Sequence, residues 1–334
     1  MGATPGADTA DPACGFDLKA TRICYKWAPP CFLCHACLQP DRCAARRYRQ
    51  LHLRSSPVLI RLGFEITYRF PEPTPMLLTL NLHDSRRADI AIAQELRTTP
   101  TVPLHQYHDG FGNLCTRLVS PAGDLTIFSD AVVRDTGWTD LVVPAAQQVP
   151  VYQLPDHTLV YLLGSRYCET DKLMDKAWDL FGHTPTGWAR VQAICDYVHN
   201  HLQFGYEFAN ATKGAALALE EGRGVCRDFA HSAIALCRCM NIPARYCTGY
   251  IGDHGVPPSN SPMDFSAWFE AWLDGQWHTF DARHNFPRIG RVLIARGRDA
   301  ADVAISNTFG PNTLEKFEVW SDETFVEALI PRSG

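Results

Sequence analysis

Residues Gly222 to Tyr250 read GRGVCRDFAHSAIALCRCMNIPARYCTGY and predict a glycine-rich turn, an apolar helix and a strand. The helix is predicted from about Val225 to Met240, because Pro243 cannot continue it. Cys226 lies at its start, directly behind the turn. Backbone N–H groups and the positive end of a helix dipole stabilise a thiolate, and the same groups can hold an oxyanion. Cys226 is therefore a candidate nucleophile, with a buried helix-start cysteine as the alternative interpretation.

A second stretch, Asp264 to Asn285, reads DFSAWFEAWLDGQWHTFDARHN and predicts two antiparallel strands. Its Asp274-Gly275 pair is typical of a two-residue hairpin loop, and that loop places Trp268 opposite Asp281. Position 266 is then a diagonal neighbour of Asp281 on one sheet face, about 7 to 8 Å away. A cysteine nucleophile needs a base that a third group orients, and the register indicates position 266 for that base. Ser266, which is not a base, occupies it.

Four histidines are alternatives for the base. His278 and His284 fall on the opposite face of the sheet if the strand register continues. His231 is about 140° around the helix from Cys226 and is expected to be packed. His254 belongs to a Gly-Asp-His-Gly loop and reaches a cleft if that loop folds inward, so it is the possible alternative base.

The two stretches resemble the bacterial transglutaminase-like superfamily, whose core has the arrangement of papain-like cysteine proteases. The resemblance covers roughly residues 58 to 320. It implies a Cys-His-Asp triad that transfers to Cys226 and Asp281. The family histidine falls at Ser266, since the usual His-Ala-Trp is Ser-Ala-Trp here. The implied fold class is α+β, a transglutaminase-like, papain-like core preceded by a β-sandwich domain.

Changes in the hydrophobic pattern predict three segments along the chain. Residues 58–150 alternate between apolar and polar positions around Gly-based turns, which predicts a β-rich N-terminal domain. Residues 151–334 begin with helical periodicity and continue with strands, which predicts the transglutaminase-like core. Residues 1–57 show neither period and are interpreted as a disordered extension.

Six of the 13 cysteines lie in the extension, including Cys31, Cys34, Cys37 and Cys43. Two more specific alternatives to disorder are a zinc site on these four cysteines and haem attachment to the Cys-x-x-Cys-His pattern. Haem attachment normally needs export, and zinc knuckles usually pair at wider spacing. We therefore expect no metal or organic cofactor, and we expect the later cysteines to be reduced thiols.

Composition limits the partners of this 334-residue chain. Its net charge of −5 and pI of about 6.2 provide no basic excess for a phosphate-binding surface. No apolar run approaches the roughly 18 residues that span a bilayer, and the N-terminus lacks the apolar core of a signal peptide. We therefore expect a cytoplasmic protein that binds neither nucleic acid nor membranes.

These features together predict a transglutaminase-like protein with a cysteine nucleophile. Cys226 attacks an amide or peptide carbonyl of a protein or peptide substrate, and the resulting thioester is resolved by water or an amine. Hydrolysis is favoured over transfer, because the sequence shows nothing that excludes water. The alternative is a catalytically silent member that binds peptides or a partner protein, because Ser266 stands where the base is expected.

Overall fold

The structure is a computed structural model and describes residues 58–258 and 262–325. The extension 1–57 and its cysteine cluster lie outside the described residues, so the predictions made for them stay predictions. The described chain combines helices and strands, which confirms the α+β fold class.

Fifteen strands are formed by the described residues. They are β1 (Val58–Phe70), β2 (Thr74–Leu78), β3 (Ile90–Ile92), β4 (Arg97–Thr99), β5 (His105–His108), β6 (Leu114–Ser120), β7 (Gly123–Asp135), β8 (Gln203–Phe204), β9 (Arg223–Gly224), β10 (Ala244–Ile251), β11 (Ser266–Leu273), β12 (Gln276–Phe280), β13 (Arg291–Gly297), β14 (Ser306–Thr308) and β15 (Thr313–Thr324).

Two antiparallel sheets make the first part of the fold strand-rich. One has the order β15-β1-β7-β3 with β4 also on β7, and the other has the order β14-β2-β6-β5. Along β1 the side chains of Ile60, Leu62 and Phe64 are fully buried, whereas Arg61 between them is exposed. This period of two is the pattern of a strand with one face on a core.

The last two strands come from the end of the chain and complete these two sheets. β15 pairs with β1 along most of its length, and β14 pairs with β2. The predicted segment boundary at residues 150 and 151 stays a prediction, but the strands of the two segments are interleaved in space.

Five α-helices lie between the strand-rich part and the final strands. They are α1 (Asp156–Leu159), α2 (Thr170–Phe181), α3 (Trp188–His201), α4 (Ala215–Glu221) and α5 (Cys226–Cys239). Helix α5 is buried from Asp228 to Cys239 and packs against α2, α3, α4, β10 and β11. Within the described ranges no helix has the length and apolar character needed to cross a membrane.

The third sheet has the order β12-β11-β10-β13 and carries the predicted hairpin. Leu273 pairs with Gln276, and the loop between them has positive φ angles of 47° at Asp274 and 77° at Gly275. Two positive φ values in a two-residue loop match the right-handed twist of the strands. The hairpin prediction is confirmed, and pairing along it ends at Phe280.

Candidate active site

Cys226 is the first residue of α5, as the glycine-rich turn predicts. Asp228 fixes the helix start, since its Oδ2 accepts a hydrogen bond from the Val225 N–H at 2.9 Å. A Cβ at Gly224 would lie 2.6 Å from the Asp228 side chain, so the turn needs glycine there. Asp228 thus serves the helix N-terminus as a first-turn acid.

The Cys226 side chain is half-buried against the beginning of β11. Its Sγ lies 3.9 Å from the carbonyl oxygen of Phe265. Burial raises the pKa of this thiol to about 11, while the positive charge of Arg283 lowers it in part and Asp264 raises it further. The backbone N–H groups of Ala267 and Arg227 also lower this pKa in part. The free protein therefore carries a protonated thiol at neutral pH, rather than the thiolate expected from the helix dipole alone.

Strand register explains why the thiol lies at this edge. The residues that flank a two-residue loop, here Leu273 and Gln276, form a hydrogen-bonded pair. Hydrogen-bonded and non-hydrogen-bonded pairs alternate along the strands. The odd-numbered residues of β11 therefore point their backbone N–H and C=O groups toward β12. Because β12 ends at Phe280, it does not cover the backbone groups of Phe265 and Ala267. Cys226 occupies this edge, immediately beyond the end of β12.

The chain turns at Asp281, directly after β12. Oδ1 of Asp281 accepts the backbone N–H groups of Arg283 and His284, both at 3.0 Å. The Asp281 carbonyl oxygen accepts the N–H of Asn285 at 2.8 Å and closes the turn. The predicted register continued the strand through His284 and placed this histidine on the far face of the sheet. That placement is wrong, because the turn ends the strand before it.

The other carboxylate oxygen of Asp281 holds two side chains. His284 Nδ1 lies 2.8 Å from Oδ2, and the Arg291 guanidinium lies 3.1 and 3.2 Å from it. Arg291 also contacts Asp140 at 3.0 Å. Burial opposes ionisation of Asp281, but the hydrogen bond from His284 and the charge of Arg291 outweigh it, and the pKa of this carboxyl lies well below its ordinary value. Asp281 is therefore an ionised carboxylate that orients an imidazole.

Ser266 is buried at the first position of β11 and lines a cavity of about 380 Å³ together with His284. Cys226 lines a larger cleft of about 590 Å³. Tyr206 and Asp264 line both spaces, so the two adjoin. The structure thus gathers Cys226, Ser266 and the Asp281 turn around the end of β12.

His254, the possible alternative base, lies elsewhere. It is buried, and its Nε2 is 3.3 Å from the Oγ of Ser321. A Cβ at Gly290 would lie 2.5 Å from the His254 ring, which shows how closely the backbone covers it. Burial lowers the pKa of His254. It lines neither the Cys226 cleft nor the adjoining cavity.

Both remaining histidines are buried; packing was predicted for His231, and the opposite sheet face for His278. His231 is fully buried, stacks on Tyr167, and accepts the backbone N–H of Ala300 at 3.1 Å. His278 pairs opposite Ala271 and is 4% exposed. Neither is available to the thiol.

Sequence reasoning missed the contacts of His284 and Arg291 with Asp281 in this candidate site. The signal for His284 is its position three residues after Asp281, the spacing at which a carboxylate can accept both the backbone and the side chain of a turn residue. Nothing local points to Arg291, since its pairing with Asp140 joins residues that are distant in sequence.

The described cysteines offer no metal site. All seven of them are free thiols. Across residues 58–258 and 262–325, no group of three or more His, Cys, Asp and Glu side chains is arranged to hold a metal ion.

Comparison with known proteins defines the class to which this site belongs. The model of the transglutaminase-like superfamily matches residues 178–282, a span that includes Cys226, Ser266 and Asp281 and stops before His284. The crystal structure of a candidate cysteine protease from Cytophaga hutchinsonii is 31% identical in sequence, with a TM-score of 0.70, and the match covers 81% of this chain and 92% of that one. The chain belongs to the transglutaminase-like superfamily.

Mycobacterial proteins are also similar. A protein of Mycobacterium leprae is 26% identical over 240 residues, which cover 66% of this chain and 81% of that protein. A protein of Mycobacterium bovis is 30% identical over 114 residues, 31% of this chain and 36% of that protein. Neither is described by an activity.

Two substitutions next to Cys226 are expected to change its reactivity in opposite directions. Asp264→Asn removes a negative charge that raises the thiol pKa, and Arg283→Met removes a positive charge that lowers it. Below the thiol pKa the thiolate fraction rises tenfold per pH unit, so alkylation of Cys226 at pH 8 should be faster in Asp264→Asn and slower in Arg283→Met, each by less than about tenfold.

The measurement is the rate of iodoacetamide labelling of the Cys226 peptide, followed by mass spectrometry from pH 7 to pH 10. In the unaltered protein the rate should still be rising at pH 10, because burial places the pKa at about 11. A plateau below pH 8, or equal shifts in both variants, would contradict this description of the thiol.

Proposed function

We propose that the protein is a cysteine-nucleophile hydrolase of amide or peptide bonds in protein or peptide substrates. The observation that carries the proposal is the placement of Cys226. Its thiol lies at the N-terminus of α5 and lines an open cleft. This cleft adjoins the cavity lined by His284, whose imidazole contacts the ionised, buried carboxylate of Asp281. Acyl transfer through cysteine needs these chemical groups close together.

The cleft has room and chemistry for a peptide. Its volume of about 590 Å³ is within the usual range for a substrate pocket. Tyr167, Tyr246 and Phe317 supply apolar walls, while Arg166 and Arg227 supply positive charge. An acyl group that enters it meets the Cys226 thiol. Arg166 and Arg227 can bind a carboxylate or backbone carbonyls of the substrate, and Asp264 adds one negative charge to the same lining.

The reaction has two halves. Sγ of Cys226 attacks the amide carbonyl, the amine leaves, and an acyl thioester remains on the cysteine. Water then attacks the thioester and releases the acid. Support for the hydrolytic outcome comes from the Cytophaga hutchinsonii protein, which is described as a candidate cysteine protease. Transfer to an amine shares the first half and differs only in the second.

The test is replacement of Cys226 by alanine. Release of primary amines from denatured casein, and hydroxamate formation from a benzyloxycarbonyl-Gln-Gly peptide with hydroxylamine, report hydrolysis and transfer separately. We expect the unaltered protein to release amines and Cys226→Ala to lose about 10³-fold or more of that rate. Equal rates in the two proteins in both assays would overturn the proposal.

A second candidate is a catalytically silent protein that binds a peptide or partner protein in the same cleft. Ser266 at the expected base position and a thiol whose pKa is raised to about 11 favour it. It predicts that Cys226→Ala binds casein-derived peptides as tightly as the unaltered protein, with no product from either. Cytoplasmic location, and the absence of nucleic acid and membrane partners, belong to both candidates as proposals.

A further inference from the structure

The site lacks an imidazole at position 266 but has one nearby. Ser266 cannot take a proton from the thiol at neutral pH, since a hydroxyl is a very weak base. His284 lines the cavity in front of Ser266, and this cavity adjoins the Cys226 cleft at Tyr206 and Asp264. The serine side chain is much smaller than a histidine, so position 266 leaves room in front of the strand for a ring that comes from another element.

The Asp281 turn carries His284 into the cavity that Ser266 lines. The turn follows β12 directly, and Cys226 lies at the β11 edge just beyond the end of β12. Thiol and imidazole therefore line adjoining spaces near this strand end, the thiol from α5 and the imidazole from the turn. The His284 side chain is 20% exposed, so it is neither buried in the core nor free in solvent.

Hydrogen bonding fixes which nitrogen of His284 is basic. Asp281 is ionised and can only accept, so Nδ1 of a neutral ring carries the proton and donates it to Oδ2 at 2.8 Å. Nε2 then carries the lone pair. Among the described residues, Nε2 has no hydrogen-bond partner, so it is free to accept a proton. This is the tautomer that a triad carboxylate selects in its histidine.

We propose that His284, oriented by Asp281, is the general base of this site and replaces the histidine missing at position 266. The inference rests on the proposed function of Cys226 as a nucleophile. Asp281 keeps the position of the triad carboxylate, and the base lies in the turn after β12 instead of at the start of β11. Ser266 then acts as a small residue that leaves space for the His284 ring.

The proton and bonds balance with water as the only co-reactant. As the Sγ–C bond forms, Nε2 takes the thiol proton. It then donates this proton to the leaving amine as the C–N bond breaks. In the second half Nε2 takes a proton from water as the oxygen attacks the thioester, and the Sγ–C bond breaks. The proton returns to Sγ, and an acid and an amine have been released.

The first test replaces His284 by glutamine, whose amide N–H can still donate to Asp281. The probe is p-nitrophenyl acetate, which acylates reactive thiols without specific binding, and casein serves as the amide substrate. We expect acetyl-Cys226 to hydrolyse about 10²- to 10⁴-fold more slowly in His284→Gln, the usual range for a lost general base. A matched control is His199→Gln, because His199 contacts the same turn through the Arg283 carbonyl at 2.9 Å but does not line the cavity.

A relocation experiment separates a base from a structural residue. The double variant Ser266→His with His284→Gln places an imidazole on β11, beside the same Asp281. We expect it to recover at least about a tenth of the deacylation rate of the unaltered protein. If His284 had only a structural role, an imidazole at position 266 would not restore the rate. Added imidazole should also accelerate deacylation of His284→Gln more than that of the unaltered protein. Thermal unfolding within a few degrees of the unaltered protein shows that each variant is folded.

The outcomes distinguish the two claims. If His284→Gln keeps the full deacylation rate while activity depends on Cys226, the assignment of His284 is overturned and the proposed function stands. If only variants that carry Ser266→His are active, both the assignment and the proposed activity are overturned. If no variant shows a Cys226-dependent reaction, the proposed function is overturned, and the assignment of His284, which rests on it, is overturned with it.

Discussion

Replacing Asp281 with asparagine is expected to slow Cys226-dependent turnover by about 10³-fold or more. An asparagine at this position cannot carry the negative charge that stabilises an imidazolium, and its amide N–H₂ offers no acceptor to His284 Nδ1–H if it faces the ring. The ring then loses the tautomer with a basic Nε2. The backbone turn should persist, since the asparagine oxygen can still accept the N–H groups of Arg283 and His284.

The readout is deacylation of acetyl-Cys226 in Asp281→Asn, beside iodoacetamide labelling of the same cysteine. We expect deacylation to fall and labelling at pH 9 to stay within about threefold, because alkylation needs no base from this pair once the thiol ionises. Asp196→Asn is a suitable control, since Asp196 contacts Asn285 of the same turn at 2.8 Å but not His284. Full turnover in Asp281→Asn would contradict a role for this carboxylate.

The largest loss of stability is expected for Arg291→Met. Arg291 and Asp281 are 7% and 3% exposed, and Arg291 also neutralises Asp140. Removing the guanidinium leaves Asp281 and Asp140 without this cation in a region with little solvent. Breaking a buried ion pair from one side costs about 3–5 kcal/mol, so the free energy of unfolding in urea at pH 7 should fall by that amount.

An exposed ion pair serves as the control for Arg291→Met. Arg61 contacts Asp130 at 2.7 Å, with side chains 55% and 46% exposed. Solvent screens such a pair, and Arg61→Met should change the free energy of unfolding by less than about 1 kcal/mol. Similar decreases in the free energy of unfolding in the two variants would show that the contacts of Arg291 with Asp281 and Asp140 do not contribute as a buried ion pair does.

Short-range sequence patterns predicted the parts of the site that depend on neighbouring residues. The glycine-rich turn placed Cys226 at a helix start, and Asp274-Gly275 set the hairpin register, because both depend on a few neighbouring residues. The resemblance to the transglutaminase-like superfamily added the nucleophile and carboxylate positions. The fold class, the packed environment of His231 and the pairing of His278 opposite Ala271 followed from sequence patterns as well.

The position of His284 could not be obtained by counting along the strand. Alternation predicts the sheet face of a residue only while the strand continues, and no Gly or Pro marks its end at Asp281. The strand ends because Asp281 accepts two backbone N–H groups and is held from across the fold by Arg291. That contact depends on tertiary structure, as does the pairing of β15 with β1.

The most direct test of the account is detection of an acyl group on Cys226. Benzyloxycarbonyl-glycine p-nitrophenyl ester acylates quickly, so the adduct should accumulate before water resolves it, and an acid quench with peptide mapping locates it. We predict a hydroxylamine-sensitive thioester on Cys226 that persists longer in His284→Gln and is absent from Cys226→Ala. Ester turnover that is unchanged in Cys226→Ala, with no adduct on the Cys226 peptide, would contradict the central claim that this cysteine is the nucleophile.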